Sequence, residues 1–499
     1  MNMLQDHHIL ILGLGDSGLA MVRWCVLQGA QVTVVDNRAE PPGKSKLEEL
    51  GLQVEFKTQS FSADLIDQSD VRAVFKSPGL TPQEVFPVWE AAQARGLWLG
   101  TELSLFAHAL AQLDSEDSPY KPKVLAITGT NGKTTVTSLT GLLLARAGLQ
   151  VAVAGNIGPS LLDTLRERLD DLPQAWVLEL SSFQLEGVDN FVPTAACILN
   201  LTQDHLDWHG DMKAYGQAKA RIWSAVGVVG VLPRNDAHVM SLWPANSTDK
   251  KIAARPRISF GADLPLLPGD FGLSTENGMT WLVRAAPSDE PIGKRGRVQE
   301  EELHIQRLMP ADALRIRGQH NALNALAALA LASTCSASLA PLLHGLREYT
   351  GEPHRMSPLA VVSDVEYFDD SKGTNVGATV AAINSLGADR KLVVILGGDG
   401  KGQDFSPLCT PVKQSVRAVV LIGRDAPLLA KTLQDTGVEL ITASDMNQAV
   451  AQAAQYAQTG DAVLLSPACA SLDMYANYVA RALAFADAVH GLQLMEGIA

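Results

Sequence analysis

The sequence of 499 residues lacks the marks of secreted and nucleic-acid-binding proteins. Its five cysteines never occur as C-x-x-C pairs, which predicts reduced thiols and a cytoplasmic location rather than disulfides or a zinc site. The polar residues 1–8 do not match the pattern of a secretory signal. A formal net charge of −14 argues against nucleic acid as a partner, because nucleic-acid-binding domains carry a basic face.

A long uninterrupted hydrophobic run is also missing. Residues 322–343 come closest, but polar side chains and a proline interrupt them, so we predict one buried helix rich in alanine and leucine and no membrane span. With 46% hydrophobic and 19% charged residues, the composition is typical of a folded globular protein. A chain of this length is expected to form about three domains.

The clearest motif lies in residues 124–135, where an apolar strand is followed by the glycine turn 129–132 and a helix that we expect to begin at Thr134. Such a turn points backbone N–H groups and the positive end of a helix at an anion. Lys133 would reach the terminal phosphates of a nucleoside triphosphate, and the Thr134 hydroxyl would bind Mg²⁺. The general P-loop pattern has glycine where this chain has Ile127, so the match is to a shortened loop.

The first segment predicts a βαβ unit around residues 13–18, a G-x-G-x-x-G sequence between strands 8–12 and 31–35. Asp36 ends the second strand, at the distance expected of a dinucleotide fingerprint, and Arg38 could equally face a uridine or a phosphate. The motif alone is compatible with an NAD(P)-dependent oxidoreductase or with a Rossmann-like domain that binds no redox cofactor.

Polar side chains follow two strands of the second segment. Glu179 ends the predicted strand 175–179, where a carboxylate could bind Mg²⁺; the alternative is a residue that caps the next helix. Residues 200–209 follow another strand and contain His205 and Asp207, which could bind a second cation. The alternative for His205 is an ordinary surface histidine.

Other candidate groups are weaker individually. Lys219 lies on a helix predicted to start near Met212, and nothing in its local sequence distinguishes it from a solvated lysine. In the third segment, where strands are predicted at 360–365, 392–396, 418–422 and 462–465, the loops 369–374, 397–401 and 466–471 could jointly face the triphosphate. Residues 243–307 predict a β-rich elaboration whose basic loop, 294–297, is a solvated turn.

Together these motifs resemble the Mur ligases, ATP-dependent enzymes of bacterial cell-wall precursor synthesis. The general family motifs are residues 128–135, 200–209, 318–324 and 353–355. The branch that adds D-glutamate is matched by residues 179–185, 370–375, 397–401 and 466–473. The chain departs from the usual family residues at Trp208, Asp369, Tyr478 and 479–482.

The resemblance implies an α/β fold of three domains. Residues 1–114 would form a Rossmann-like domain for the UDP-substrate. Residues 121–350 would form a central P-loop ATPase-type domain with a mixed sheet and the β-rich elaboration. Residues 351–499 would form a second Rossmann-like domain for the amino acid. The acidic, proline-containing residues 114–122 predict the first linker.

The resemblance also assigns roles to individual residues. The UDP-substrate would be bound by Gly15, Ser17, Asp36, Asn37, Arg38, Ser77 and Asn156. ATP would be bound by Gly129, Thr130, Asn131, Gly132, Lys133, Thr134, Thr135, Asn324 and Arg355. The metal ligands would be Thr134, Glu179, His205 and Lys219 as a carbamate. D-glutamate would be bound by Lys372, Thr374, Lys401, Ser471, Leu472 and Tyr478. The catalytic residues would be Lys133, Glu179, His205, Lys219 and Lys372.

The implied reaction joins D-glutamate to UDP-N-acetylmuramoyl-L-alanine through an acyl phosphate, with ATP and Mg²⁺ as cofactors. A monomeric protein with small-molecule partners is expected. Three alternatives stay open at this point: the oxidoreductase, a sister ligase of the folylpolyglutamate synthase type, and a nucleotide-binding switch without catalysis. The first leaves Lys133, Glu179 and Lys219 without a role.

Overall fold

The protein was analysed as a computed structural model, which describes residues 4–51, 54–67, 69–115, 119–188, 190–244, 255–287, 303–495 and 497. Residues 116–118 of the predicted linker lie outside the described residues, as do 245–254 and 288–302 of the predicted elaboration. The last of these gaps contains the predicted basic loop 294–297. Three separate sheets confirm the predicted α/β fold. Each sheet lies within one predicted domain, and the boundaries themselves stay a prediction.

The first sheet is parallel, with five strands in the order β3-β2-β1-β4-β5. Its strands are His8–Leu12 (β1), Gln31–Asp36 (β2), Val54–Thr58 (β3), Ala73–Lys76 (β4) and Trp98–Gly100 (β5). The helices are Asp16–Leu27 (α1), Lys44–Glu49 (α2), Asp64–Asp67 (α3), Pro82–Ala94 (α4) and Glu102–Leu113 (α5). The strand order reverses between β1 and β4, and ligands bind in the crevice at such a point in open α/β sheets.

The central sheet is mixed, with nine strands in the order β14-β13-β12-β11-β10-β9-β6-β8-β7. Its strands are Lys123–Thr128 (β6), Val151–Gly155 (β7), Ala175–Glu179 (β8), Ala195–Ile198 (β9), Val229–Pro233 (β10), Arg257–Phe260 (β11), Phe271–Glu276 (β12), Met279–Pro287 (β13) and Leu303–Pro310 (β14). The helices are Lys133–Arg146 (α6), Leu161–Glu167 (α7), Ser182–Leu185 (α8), Leu206–His209 (α9), Met212–Ala220 (α10), Ala237–Leu242 (α11), Gln319–Ser333 (α12) and Leu339–Glu348 (α13). The predicted β-rich elaboration supplies the antiparallel edge, β12 to β14.

The apolar run 322–343 is two helices, so the prediction of one helix is wrong. The hydroxyls of Ser333 and Thr334 donate to carbonyls three residues back, at 2.8 and 2.6 Å, where α12 ends. Ser336 then adopts a left-handed conformation with φ 60°. Serine and threonine hydroxyls compete for backbone groups in this way, and hydrophobic composition alone hides the break.

The third sheet has six strands in the order β15-β16-β20-β17-β18-β19, of which only the edge strand β15 is antiparallel to its neighbour. Its strands are Ser357–Val362 (β15), Val365–Asp369 (β16), Leu392–Gly397 (β17), Val416–Ile422 (β18), Glu439–Thr442 (β19) and Ala462–Leu465 (β20). The helices are Val376–Leu386 (α14), Cys409–Ser415 (α15), Ala426–Leu433 (α16), Met446–Tyr456 (α17) and Tyr478–Met495 (α18).

The predicted strand 360–365 is wrong, because the chain reverses within it. Ser363 and Asp364 both have positive φ, 50° and 61°, and connect β15 to β16 as a two-residue hairpin. Two consecutive left-handed residues are the geometry that matches the twist of paired strands. The apolar residues on both sides of the turn conceal it in the sequence.

The first and central domains share one apolar core, whereas the third domain has its own. Residues from Leu4 to Val239 form a continuous buried cluster that crosses from the first sheet to the central one. Phe106 and Trp176, one from each domain, meet edge to face with ring centroids 5.0 Å apart. Buried clusters of the third domain contain only residues after 350. In the part of the chain that is described, no helix is both long and apolar enough to span a bilayer.

Polar contacts reinforce the junction between the first two domains. The guanidinium of Arg23 donates to both carboxylate oxygens of Asp163 at 2.9 Å. Glu102, at the start of α5, is buried and accepts a hydrogen bond from the Leu162 N–H at 3.1 Å. Burial raises the pKa of Glu102 to about 7, an effect that the nearby Ser17 hydroxyl and Leu162 N–H only partly offset.

We expect Glu102→Gln to stabilise the junction at high pH. The Glu102 carboxyl has a pKa of about 7 when folded, against 4.5 when unfolded. Stability therefore falls as pH rises between these values, by a total of about 3 kcal/mol, and Gln removes this loss. Thermal unfolding of the variant and of the wild type should agree near pH 4 and diverge by pH 8. The exposed Glu90→Gln serves as control; a pH-independent difference for Glu102→Gln would contradict the expectation.

Candidate functional site

The glycine turn of residues 129–132 forms a compact phosphate cradle between β6 and α6. Gly129 and Gly132 have φ of 148° and 83°, and a Cβ on Gly132 would lie 2.7 Å from the Asn324 side-chain oxygen. Glycine is therefore required where Asn324 covers the loop. Lys133 bends over the turn and donates to the carbonyls of Gly129 and Thr130 at 3.0 and 2.8 Å. The helix begins at Lys133, one residue earlier than predicted.

A carboxylate with an unused oxygen lies beside the cradle. Glu179 ends β8, the strand next to β6, and is 2% exposed. One oxygen accepts from the Asn156 amide at 2.6 Å, and the other is buried with no hydrogen-bond partner among the described residues. An orphaned buried carboxylate oxygen is costly, and a cation at this position would satisfy it. The residues present therefore fit a divalent metal ion.

Lys219 is unusual in a way that its local sequence does not reveal. It lies on α10, is 1% exposed, and donates from Nζ to the Gly129 carbonyl at 2.9 Å. The Tyr215 ring is 4.5 Å away. Burial, with the nearby Lys133 cation as a second cause, lowers the pKa of Lys219 well below its usual value. Burial therefore favours the uncharged amine, which is the form that reacts with CO₂ to give a carbamate.

His205 and its neighbour Asp204 differ in charge and in the partners they bind. Burial lowers the pKa of His205 to about 4, with the cations Lys401 and Lys133 adding to the effect against the opposing Asp204. A neutral imidazole is the metal-binding form. Asp204 is buried and pairs with Lys401 across 3.3 Å. The sequence put forward Asp207 instead, which is exposed.

Within the described residues, no three His, Cys, Asp or Glu side chains gather as a ready metal site. Carbamylation of Lys219 would add an anionic ligand to Glu179 and His205. The proposed metal site is therefore complete only with the modified lysine and the phosphates of the nucleotide.

Cations of the third domain reach the cradle. The Arg355 guanidinium donates to the Thr134 hydroxyl at 2.9 Å, and Lys372 Nζ donates to the same oxygen at 3.2 Å. Burial and the neighbouring Arg355 lower the pKa of Lys372 to about 8. The structure thus brings predicted ATP and D-glutamate residues together. Thr374 follows Lys372 in a tight turn, its N–H donating to the Lys372 carbonyl at 2.9 Å.

The other residues predicted to bind D-glutamate differ in their exposure to solvent. Tyr478 presents its ring 5.4 Å from Lys372 Nζ, and Ser471 is buried. Leu472 is 72% exposed. Sequence reasoning missed His354, whose ring nitrogen Nδ1 is 2.7 Å from an Asp369 oxygen and whose ring is near Tyr478. Its place within motif 353–355 was the available signal.

The glycine loop of the first domain is closed by Asp36. The buried Asp36 carboxylate accepts from the N–H groups of Leu14 and Arg38 at 2.8 and 2.9 Å. Ser77 donates to the Gly13 carbonyl at 2.8 Å. Asp36 therefore shapes the loop with its side chain, while Asn37 is exposed and nothing lies within 4 Å of the position of a Cβ on Gly15.

A cavity of about 550 Å³ lies between the central and third domains. The cradle residue Asn131 and Arg355 of the third domain border its polar end, and Phe260, Ile316 and Leu323 line its apolar part. An apolar slot ending at a phosphate cradle has the shape and chemistry to hold a purine nucleotide.

Comparison with known proteins covers nearly the whole chain. The family profiles that match are Mur ligase MurD-like N-terminal domain at residues 7–98, Mur ligase middle domain at 127–263, and Mur ligase glutamate ligase domain at 354–469. The UDP-N-acetylmuramoylalanine–D-glutamate ligase of Albidiferax ferrireducens is 58% identical, covering 100% of this chain and 99% of its own. The ligase of the same name from Burkholderia cenocepacia is 52% identical, covering 98% of each chain.

Solved structures share the fold at low identity. UDP-N-acetylmuramate-alanine ligase MurC from Thermotoga maritima has a TM-score of 0.56 and 19% identity, covering 97% of this chain and 99% of its own. MurF ligase from the same organism, in complex with ADP, has a TM-score of 0.56 and 14% identity, covering 99% and 96%. These likenesses show the three-domain fold.

Proposed function

This chain belongs to the Mur ligase family, and from that premise we propose that it joins D-glutamate to UDP-N-acetylmuramoyl-L-alanine at the expense of ATP. It is an ATP-dependent ligase of peptidoglycan precursor synthesis that forms a C–N bond. The observation that carries the proposal is the approach of Lys372 and Arg355, from the third domain, to the Thr134 hydroxyl of the cradle. An amino-acid site and a triphosphate site thereby share one reaction space.

In the first step the alanyl carboxylate attacks the γ-phosphorus of ATP. The bond from that phosphorus to the β-phosphate oxygen breaks, giving an acyl phosphate and ADP. Lys133 and Lys372 are proposed to neutralise the charge that builds on the transferred phosphoryl group. We propose that Thr134, Glu179, His205 and carbamylated Lys219 would hold Mg²⁺, which supplies charge neutralisation when bound.

In the second step the amine of D-glutamate attacks the activated carbonyl carbon. The bond from that carbon to the phosphate oxygen breaks, and phosphate leaves as the amide forms. Tyr478 and Lys372, whose ring centroid and Nζ are 5.4 Å apart, are proposed to line the path by which the amine approaches. Ser471 and Lys401 are proposed to bind the carboxylates of D-glutamate, because their hydroxyl and ammonium groups suit an anionic ligand.

The first domain is proposed to hold the UDP part of the substrate. The crevice between β1 and β4 meets the open loop at Gly15, and Ser17 lies at the start of α1. Arg38 is half-exposed beside it and can contact uracil or phosphate. Family membership sets aside the oxidoreductase alternative for this glycine loop, and the relatives named for D-glutamate set aside the folate type.

The reaction is tested by phosphate release from the purified chain. We expect release only when ATP, Mg²⁺, UDP-N-acetylmuramoyl-L-alanine and D-glutamate are all present, because the acyl phosphate forms on one substrate and is consumed by the other. Omitting each component in turn is the internal control. Equal turnover with L-glutamate or with a folate would overturn the substrate assignment.

A further inference from the structure

Two asparagines join the phosphate cradle to the third domain by exchanging hydrogen bonds. The Asn131 amide nitrogen donates to the Asn375 amide oxygen at 3.1 Å, and the Asn375 nitrogen donates back to the Asn131 oxygen at 2.8 Å. Asn375 is 3% exposed. The two residues are 244 positions apart in the chain, so the pair exists only when the domains are in contact.

Each asparagine is also fixed within its own domain. The Asn131 backbone N–H donates to the Asn200 side-chain oxygen at 2.8 Å, and Asn200 donates back to the Asn131 carbonyl at 2.9 Å. Asn375 is the N-cap of α14, where its oxygen accepts from the Ala378 N–H at 2.9 Å. Both partners are therefore held in place before they meet, which lowers the entropic cost of pairing.

The amide pair differs chemically from the contacts that two cations of the third domain make with the cradle. Lys372 and Arg355 contact the Thr134 hydroxyl, and all three groups are ones that ATP and its metal ion would bind. Those contacts must change their partners as nucleotide enters. The Asn131–Asn375 pair is uncharged, and a phosphate held by the backbone N–H groups of the glycine turn would leave these two side chains paired.

We propose that the Asn131–Asn375 pair is an interdomain latch that holds the D-glutamate loop against the phosphate cradle independently of ATP. Asn375 is then a positioning residue rather than a catalytic one. Residues 369–374 immediately precede it, so closing the latch fixes Lys372 over the cradle. The expected change in KM for D-glutamate rests on the proposed function, whereas the contact between the two domains does not depend on it.

The decisive variant is Asn375→Ser, because serine can still cap α14 but is too short to reach Asn131. Two lost hydrogen bonds should shift the closure equilibrium by about tenfold. We expect a larger radius of gyration for the full chain by small-angle X-ray scattering without nucleotide. We also expect KM for D-glutamate to rise about tenfold, with KM for the UDP-substrate unchanged.

A double-mutant cycle separates the latch from a merely structural role. Asn131→Ala, Asn375→Ser and the double variant are compared by kcat/KM for D-glutamate at saturating ATP. A latch predicts that the double variant is no worse than the poorer single variant, because either change already breaks the pair. Asp445→Ala, which removes the N-cap of α17 in the same domain, should lower the thermal midpoint without changing KM or the radius of gyration.

Two results would overturn the latch. One is an unchanged radius of gyration and unchanged KM for D-glutamate in Asn375→Ser. The other is effects of the two single variants that multiply in the double variant. Because the scattering measurement needs no turnover, it tests the latch even if the substrate assignment fails.

Discussion

Lys219→Ala should abolish turnover, with kcat reduced about a thousandfold or more. Loss of one proposed metal ligand and of a fixed charge at the transferring phosphoryl group corresponds to several kcal/mol of transition-state stabilisation. Lys219 is 1% exposed and held against the Gly129 carbonyl, so no other side chain of α10 can replace it. Steady-state phosphate release measures the effect.

The proposed carbamate on Lys219 would supply the negative charge that the metal site needs at this point. A free ammonium beside Mg²⁺ would repel the ion, whereas a carbamate supplies an anion at the same point. Added bicarbonate should therefore leave Lys219→Ala inactive, because the amine that reacts with CO₂ is gone. For the wild type, mass spectrometry of the intact chain at high bicarbonate should detect the added carboxyl group.

The matched control is Lys213→Ala, since Lys213 lies on the same helix but is exposed. It should retain wild-type turnover and unfold at the same temperature. Substantial activity in Lys219→Ala, with correct folding shown by circular dichroism, would mean that the amine does not take part in the reaction.

Lys372→Ala should have the second largest effect, a loss in kcat of roughly 100-fold to 1000-fold. Its Nζ lies 3.2 Å from the Thr134 hydroxyl, close enough to bind the transferred phosphoryl group. Removing the cation leaves the developing charge less neutralised. Because the UDP-substrate is proposed to bind mainly to the first domain, its KM should stay near the wild-type value while kcat falls.

A control for Lys372 is available in the same domain. Lys413 is exposed on α15, and Lys413→Ala should leave both constants unchanged. If Lys372→Ala instead raised KM for the UDP-substrate and kept kcat, the residue would serve binding rather than phosphoryl transfer. Wild-type kcat and KM in Lys372→Ala would mean that Lys372 has no role in the reaction.

Local pattern predicts the architecture well, because strand and helix periodicities alternate along all three segments. The two errors both fall at turns flanked by apolar residues, the break near Ser336 and the reversal at Ser363 and Asp364. Backbone conformation decides such positions, and single residues with positive φ leave little trace in hydrophobic periodicity. The family resemblance does not help there, since its motifs lie elsewhere.

Some residues of the candidate site are predictable from local sequence, and others depend on contacts that are distant in the chain. Residues 129–135 and Glu179 are predictable because their chemistry follows from a strand end or a glycine turn. The local sequence points to neither Asp204 nor Lys219, and only the family resemblance predicts Lys219. Their burial depends on partners distant in sequence: Lys401 lies 197 positions from Asp204, and Gly129 lies 90 positions from Lys219. Only the folded structure shows that Asp204 and Lys219 are buried away from solvent.

The apolar core common to the first two domains has a consequence for the labile intermediate. An acyl phosphate is a mixed anhydride that water destroys, and every displacement between its formation and its use exposes it to hydrolysis. The first domain, proposed to bind the UDP-substrate, and the cradle share one continuous apolar core, so the anhydride would be made and consumed without moving between separate bodies. D-glutamate, proposed to bind the third domain, would then be the reactant that moves toward the acyl phosphate.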